Sequence, residues 1–548
     1  MINIVPSKGE SKKKFGMIAL LSIPLVLSGF THLWNAAQFP SFHVDEGVYV
    51  RRSLHILAGL GLQDPSSKFD HSQDSGSEYD HPYFGPLLMA SLFKIIGYPQ
   101  SLDVSPSLES ITALFTVPRV IMGLLSVLDT FLIYRICEKR FNYKVALFAS
   151  ILFAVMPLNW YTRRIVLDSI MLPFILTSIL FALELYSKPK HLHLLVILCG
   201  VSLGLAIFTK ATSFAMIPLI IYLIYQSLNR LRLTSRLRIL ALWSIPVVLI
   251  PLVWPAYAFI YGDLNQWIDG VFWQAIERYT EGKTLADTIN SSLKTDPVLL
   301  ILGAVGILYT VARREYMLIV WIGPYLLLLF LVAWTNHFHL ISIIPILCIS
   351  TAKMVYDIPH IFGIKGNKNM VVSSGTISAL VIFGLITTTT LISTNLSYIQ
   401  LETASYVSKE IVSNKKDSLF KTGSISKISS NTDSNGTDDI TIISGPVFSW
   451  LWKYVFDDQH SFSHIRDTQP IKTDRILLVV DYSYRHVVSE EGVENVTQVQ
   501  RLQNIFKNTN ILTIFRELPS DYMKRDYPFA GILTAKTSSL STEIRANY

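Results

Sequence analysis

Three groups of residues have types and spacing suited to chemistry. The first is the adjacent acid pair in Phe42-His43-Val44-Asp45-Glu46-Gly47-Val48-Tyr49. The pair lies just beyond the outer end of an apolar run, so a carboxylate there stands near a membrane surface and faces outward. Equally, Asp45 or Glu46 could cap a surface helix or place a charge in its first turn. The second group is Tyr79-Asp80-His81-Pro82-Tyr83-Phe84-Gly85-Pro86-Leu87-Leu88. Pro82 and Pro86 fix a turn, which either lets Asp80 and His81 face a ligand or simply leads into a helix at the membrane surface. The third group is a set of charges at the ends of apolar runs: Arg119 after Pro118, Arg163 and Arg164 with Asp168, Lys210 after Gly204-Leu205-Ala206-Ile207-Phe208-Thr209, and His337 with His339. Taken singly, snorkelling or an Arg164–Asp168 helix pair explains each of them. Asp129, nearer the inner half of its apolar run, reads as a helix-to-helix polar contact.

The elements that must position these residues are dictated by a bilayer. Of 548 residues, 50% are hydrophobic and only 16% charged, with mean hydropathy +0.40, whereas a soluble domain carries about 25% charged residues. Apolar windows long enough to cross a hydrocarbon core about 30 Å thick recur from Met17 to Thr394 and stop beyond Asn395. They fall near 17–36, 111–136, 145–160, 168–187, 194–209, 213–229, 239–260, 297–312, 316–334, 341–356 and 371–393, about eleven transmembrane helices. The net charge of +7 resides in short loops rather than along one stripe, so a membrane explains it better than nucleic acid does. Cys137, Cys199 and Cys348 lie in or beside apolar runs and supply neither a disulfide framework nor a zinc motif.

Lys8, Lys12, Lys13 and Lys14 precede the first span and place its amino end in the cytoplasm. Alternating from there puts Lys139/Arg140/Lys144, Lys188/Lys190, Arg230/Arg232/Arg236/Arg238, Arg313/Arg314 and Lys365/Lys368 inside, with Arg163/Arg164 the exception. The sequons at Asn290, Asn395, Asn435 and Asn495 fall outside, weak support because most loop residues lie there too. The first span exceeds a signal-peptide core and reads as an anchor. Two outer regions are long: 37–110, with helical spacing over Gly47–Leu60, and 261–296, with the aromatic segment Trp267, Phe272, Trp273 and Tyr279. Both suit helices lying along the surface.

After Asn395 the pattern becomes a helix over Glu402–Asn414, a polar stretch Ser424–Asp439, strands at Ile440–Ser444, Arg475–Asp481 and Ile511–Phe515, and helices near Val447–Phe456 and Val493–Lys507. The expectation is a membrane domain over 1–394 and an extracytoplasmic soluble α/β domain over 395–548. The run Phe448, Trp450, Trp452 and Tyr454 suits packing in that domain's core better than sugar stacking.

In order and content the motifs resemble the GT-C superfamily of membrane glycosyltransferases, especially protein O-mannosyltransferases and aminoarabinose transferases. The resemblance rests on Asp45-Glu46 with Tyr49, Asp80-His81-Pro82 with Pro86-Leu87, Val117-Pro118-Arg119, Arg163 to Asp168, and Gly204 to Lys210. Tyr83 departs from the second proline of an H-P-P-L element, His337-Phe338-His339-Leu340 matches R-Y-L only loosely, and no W-W-D-Y-G motif of oligosaccharyltransferases is present. The resemblance implies a polyprenyl- or dolichyl-phosphate-linked sugar donor, most simply mannose, and an acceptor hydroxyl on protein, glycan or lipid, joined with inversion on the extracytoplasmic face of the cell membrane. Asp45 would then be the general base, and Glu46 would hold the acceptor or tune Asp45. Lys210, Arg164, Arg119 and His81 would bind the donor phosphate, leaving Tyr49, Asp80, Asp168, His337 and His339 for substrate contacts. No cofactor is called for. Asp45, Glu46, Asp80 and His81 could ligate a divalent metal, but their spacing sets no coordination geometry. The rival functions are a transporter or flippase of lipid-linked sugars, which predicts charges near the bilayer midplane, and a non-catalytic lipid-sugar-binding homologue.

Overall fold

The computed structural model describes residues 8–64, 79–275, 284–332, 335–364, 367–423, 440–457, 461–463, 471, 473, 475–481, 497–516 and 541–548. Tyr279, the stretch 424–439, the sequons at Asn435 and Asn495, and Lys365 lie outside them.

Each of the predicted apolar windows coincides with a helix. In chain order these are α1 (Lys8–Leu33), then α2 (Val44–Leu57) and α3 (Phe84–Ile96) in the long first loop, α4 (Leu108–Arg140), α5 (Tyr143–Val155), α6 (Leu167–Glu184), α7 (Leu192–Thr209), α8 (Ile217–Ser227) and α9 (Leu233–Tyr261). They continue with α10 (Leu264–Ala275) and α11 (Leu285–Thr295) in the second long loop, then α12 (Pro297–Ala312), α13 (Tyr316–Leu331), α14 (Ile344–Ile361) and α15 (Asn367–Ile392). Among the described residues, five helices are long and apolar enough to cross a membrane alone: α4, α6, α7 with its preceding turn, α9 and α15. The 13 residues of α5 rise only about 20 Å. A 3₁₀ segment, Pro157–Arg163, extends that helix after a 70° bend, and α11 and α12 form a second bent pair at 120°. The interhelical core is aliphatic, with Trp321 and Tyr325 buried in it.

Small residues let the backbones close on one another. A Cβ at Gly200 or Gly204 of α7 would stand 2.5 Å from Trp243 O or 2.6 Å from Pro246 O of α9, the small-xxx-small contact that stands in for a hydrophobic drive inside lipid. Arg163, part of the pair that broke the charge alternation, donates to Thr31 O and Trp34 O at the carboxyl end of α1, where the helix dipole favours a cation. At the opposite end of the bundle, Glu184 gathers Lys139 at 3.0 Å and Lys188 at 3.2 Å, and Arg140 meets Glu315 at 2.9 Å. Asp129 is 1% exposed, and among the described residues neither of its carboxylate oxygens has a hydrogen-bond partner, so none of them completes the helix-to-helix contact read from the sequence.

The tail begins with α16 (Tyr398–Gly423), longer than its sequence pattern implied, and among the described residues builds a five-stranded mixed sheet. Its strands are β1 (Ile440–Ser444), β2 (Ser461–Ser463), β3 (Arg475–Val480), β4 (Asn510–Arg516) and β5 (Ser541–Ala546), in the order β2-β1-β3-β5-β4. β1 runs parallel to β2 and β3, while β5 is antiparallel to β3 and β4. β2 and β5 escape the sequence pattern because Ser-Phe-Ser and Ser-Thr-Glu-Ile-Arg-Ala carry almost no apolar alternation. Strand periodicity sends Ile443, Leu478 and Val480 to one face, against Leu502 of α18 (Thr497–Lys507). It sends Ile442, Leu477 and Val479 to the other, where they join α16, α17 (Pro446–Tyr454), α2 and the upper ends of α4 and α6 in one hydrophobic cluster. The tail therefore shares its larger core with the first loop. Trp450 and Trp452 lie in that core, as expected for packing.

Candidate active site

The site is assembled where several helix ends come level. α6 and α7 are antiparallel neighbours of 18 residues each. The first turn of α6 therefore stands beside the last turn of α7, and Asp168 meets Lys210 with Nζ 2.7 Å from Oδ2. Lys210 is extended (φ −151°, ψ 123°), so the chain breaks there before the 3₁₀ turn Ala211–Met216 and α8. Both members of the pair are buried, at 8% and 2% exposure.

Above them lies α2. His43 is its N-cap: the Nδ1 accepts from Asp45 N–H at 3.2 Å, and Glu46 Oε1 accepts from His43 N–H at 3.0 Å, a reciprocal capping box. The helix thus starts three residues before the predicted Gly47. Successive helical residues point about 100° apart, so the two adjacent acids diverge. Glu46 turns toward α4 and the start of α6, where Arg119 grips it with two bonds of 2.9 Å, Arg164 adds one of 2.9 Å, and Ile165 N–H reaches it at 3.3 Å. Burial alone would raise the Glu46 carboxyl, but the two guanidinium groups outweigh it and hold the carboxyl below its ordinary value. Arg119 also donates to Ala36 O and Pro40 O and stacks 3.8 Å over Phe42.

Asp45, by contrast, lines a cavity of about 370 Å³ together with Tyr49, Asp80, His81, Asp168, Lys210 and His339. Asp45, Tyr49 and Arg52 follow one another at i, i+4 and i+7 and so share one helical face. Arg52 donates to Asp80 Oδ1 at 2.7 Å. Each acid of the two ion pairs keeps one oxygen, Asp80 Oδ2 and Asp168 Oδ1, without a hydrogen-bond partner among the described residues, as do Thr212 Oγ1 and Trp254 Nε1 on the same wall. Buried polar atoms left in this way favour a ligand that supplies the missing bonds. The Tyr49 phenol is pushed well up by burial, then by Asp45, and stays protonated as a donor. The rest of the wall is apolar, with Phe214, Leu328, Leu331, Val332 and Phe338.

The structure therefore brings together the acid of the first motif, Asp80 and His81 of the second, and the Asp168–Lys210 pair of the third. It corrects several expectations. Glu46, Arg119 and Arg164 face one another and are not among the residues lining the cavity, because a buried carboxylate is stable there only with its counter-charges. Arg164 does not pair with Asp168. His337 packs against Tyr161 and Phe338, at ring distances of 4.9 and 4.1 Å, outside the cavity lining. Sequence reasoning missed Arg52, which the i+7 spacing from Asp45 would have found, and His43, whose capping role the Glu three residues on would have signalled. Thr212 and Trp254 carry no local signal. Among the described residues no cluster of three or more His, Cys, Asp or Glu could hold a metal ion.

The bundle of broken and continuous helices under a long first loop, with the cavity at their common end, is similar in fold to solved membrane transferases. It resembles ArnT from Cupriavidus metallidurans in the apo state, with TM-score 0.50, 11% identity and 98% coverage of both chains. It also resembles the archaeal oligosaccharyltransferase AglB from Archaeoglobus fulgidus, solved with an inhibitory peptide and a dolichol-phosphate, with TM-score 0.50, 12% identity, 86% of this chain and 70% of that one. At such identities the likeness is one of fold. Residues 109–254 match the family described as dolichyl-phosphate-mannose-protein mannosyltransferase, a stretch that holds Asp168 and Lys210 but not Asp45. No curated protein matches the sequence.

Proposed function

We propose that this chain is a membrane glycosyltransferase that moves a sugar from a polyprenyl phosphate to an acceptor hydroxyl. The observation that carries the reading is the single cavity that joins Asp45 to the Asp168–Lys210 pair. Its apolar wall of Phe214, Leu328, Leu331 and Val332 suits an isoprenoid chain, and the AglB relative was solved with dolichol-phosphate. Lys210 meets the donor phosphate and stabilises the charge that develops as it leaves, with Asp168 fixing the ammonium in place and His81 close by on the wall. Asp45 takes the proton of the acceptor hydroxyl as it attacks the anomeric carbon, and a single displacement of this kind inverts that carbon. Asp80 and Asp168 offer their remaining oxygens to sugar hydroxyls. Mannose is the proposed sugar, on the strength of the family match, and the acceptor is a hydroxyl of protein, glycan or lipid. The reaction needs no metal in this reading. The chain crosses the membrane several times with its amino end in the cytoplasm, and the cavity and the 395–548 region lie outside.

The test is transfer of radiolabelled mannose from dolichyl phosphate mannose in membranes carrying the protein, beside Asp45→Asn. Transfer by the parent, undiminished by a chelator, and none by the correctly inserted variant is the expected result. Full transfer by Asp45→Asn would remove the base assignment. Movement of intact lipid-linked sugar across the bilayer would make the protein a transporter.

A further inference from the structure

The chain after residue 394 touches the segment that carries Asp45 at three separate places. Gln400, near the start of α16 and 2% exposed, forms a fork on Phe42. Its Oε1 accepts from Phe42 N–H at 2.7 Å, and its Nε2 donates to Phe42 O at 3.0 Å. The same Nε2 donates at 3.2 Å to Oδ2 of Asp481, the residue that follows β3. Phe42 immediately precedes the N-cap of α2, so neither of its backbone groups has a helical partner, and buried groups of this kind must be satisfied from elsewhere. Gln400 satisfies both.

The second contact is steric. The start of α17 lies on Gly47, where a Cβ would stand 2.0 Å from Pro446 O and 2.7 Å from Val447 Cα. The third is at the far end of α2, where His55 Nδ1 and Tyr454 Oη are 3.1 Å apart. Gly47 and His55 are eight positions apart, as are Pro446 and Tyr454. The two helices therefore run parallel and in register, clamped at both ends.

We propose that Gln400, backed by Asp481, and α17 against Gly47 are positioning elements for Asp45, which makes the region after 394 a built-in part of the transfer machinery rather than a separable binding module. The inference rests on the reading of Asp45 as base. A base acts only within hydrogen-bond reach of the proton it removes. The fork on Phe42 fixes where α2 begins and hence where the Asp45 carboxylate stands, while the Gly47 contact fixes how close the helix lies to the tail.

Two measurements test this on the full-length protein. In Gln400→Ala, kcat falls about 10²-fold with KM for the lipid donor unchanged, and amides 42–50 lose hydrogen-exchange protection. Gln400→Glu keeps an acceptor for Phe42 N–H but turns a carboxylate oxygen on Phe42 O and on Asp481 Oδ2, and it is equally impaired. Unchanged protection at 42–50 in Gln400→Ala would overturn the proposal, as would a kcat within about twofold of the parent. A general loss of protection across the membrane helices would reduce Gln400 to an ordinary folding contact and overturn it too. Exchange reads the clamp without turnover, so a parent that transfers no sugar would sink the glycosyltransferase reading while the clamp still stood or fell on the exchange result.

Discussion

The two adjacent acids of the first motif have opposite fates. Asp45 faces the cavity, while Glu46 is consumed by Arg119 and Arg164. Removing a buried carboxylate that neutralises two guanidinium groups costs about 3–5 kcal/mol, so Glu46→Ala should express poorly and Glu46→Gln should lower Tm in detergent. The pH dependence has a definite sign. The folded carboxyl lies below its ordinary value of 4.5, so its contribution is complete above that pH and is lost as the pH falls through the folded value. Scanning fluorimetry should show the Tm of the parent dropping below about pH 4.5 and Glu46→Gln much flatter there. Lys210→Met poses a different problem, because it also strands Asp168. The double variant Lys210→Met/Asp168→Asn should fold as stably as the parent and still lose on the order of 10²–10³ in kcat, the scale for removing one group that stabilises developing charge. Retained kcat in that variant would move phosphate recognition to another residue.

Among the elements, the Gly204-to-Lys210 motif does two jobs on one helix. Lys210 ends α7 at the cavity, and Gly204 lets α7 close on α9. Gly204→Val must push against Pro246 O, a backbone atom. Overpacking of this kind costs about 1–3 kcal/mol and tilts the helix that carries Lys210. The expected result is a lower Tm with kcat reduced more than donor KM is raised, whereas a kcat equal to that of the parent would show that α7 is positioned by other contacts. A similar close approach occurs in the second long loop, where a Cβ at Gly270 of α10 would stand 2.6 Å from Tyr79 O. That surface-type helix, expected from its aromatic residues, thus buttresses the Asp80-His81 turn. Gly85 in α3 likewise sits against Leu167 at the start of α6.

For the whole molecule, the orientation in the bilayer is open to direct measurement, because all three cysteines are fully buried. Single cysteines placed at Asn395 and at Ser187, both exposed, should react with an impermeant maleimide from opposite sides, Asn395→Cys from outside. The reverse pattern would invert the assigned topology and place the cavity in the cytoplasm.

Apolar window length and the positions of the short basic loops were enough to place the helices, because a bilayer leaves the backbone few alternatives and the windows need no tertiary information. The strands β1, β3 and β4 were legible from apolar runs, whereas β2 and β5 were not, since pairing with neighbours rather than side-chain pattern makes them strands. The sequence by itself determined that the chain is a helical membrane protein and that Asp45, the Asp80-His81 turn and Lys210 sit at helix ends. Only the tertiary structure decided that Glu46, Arg119 and Arg164 neutralise one another, that Arg52 pairs with Asp80 and Lys210 with Asp168, and that the tail clamps α2. The physical reason is that a charge's role depends on which counter-charge lies within a few ångströms, and those partners come from segments tens to hundreds of residues away in the chain.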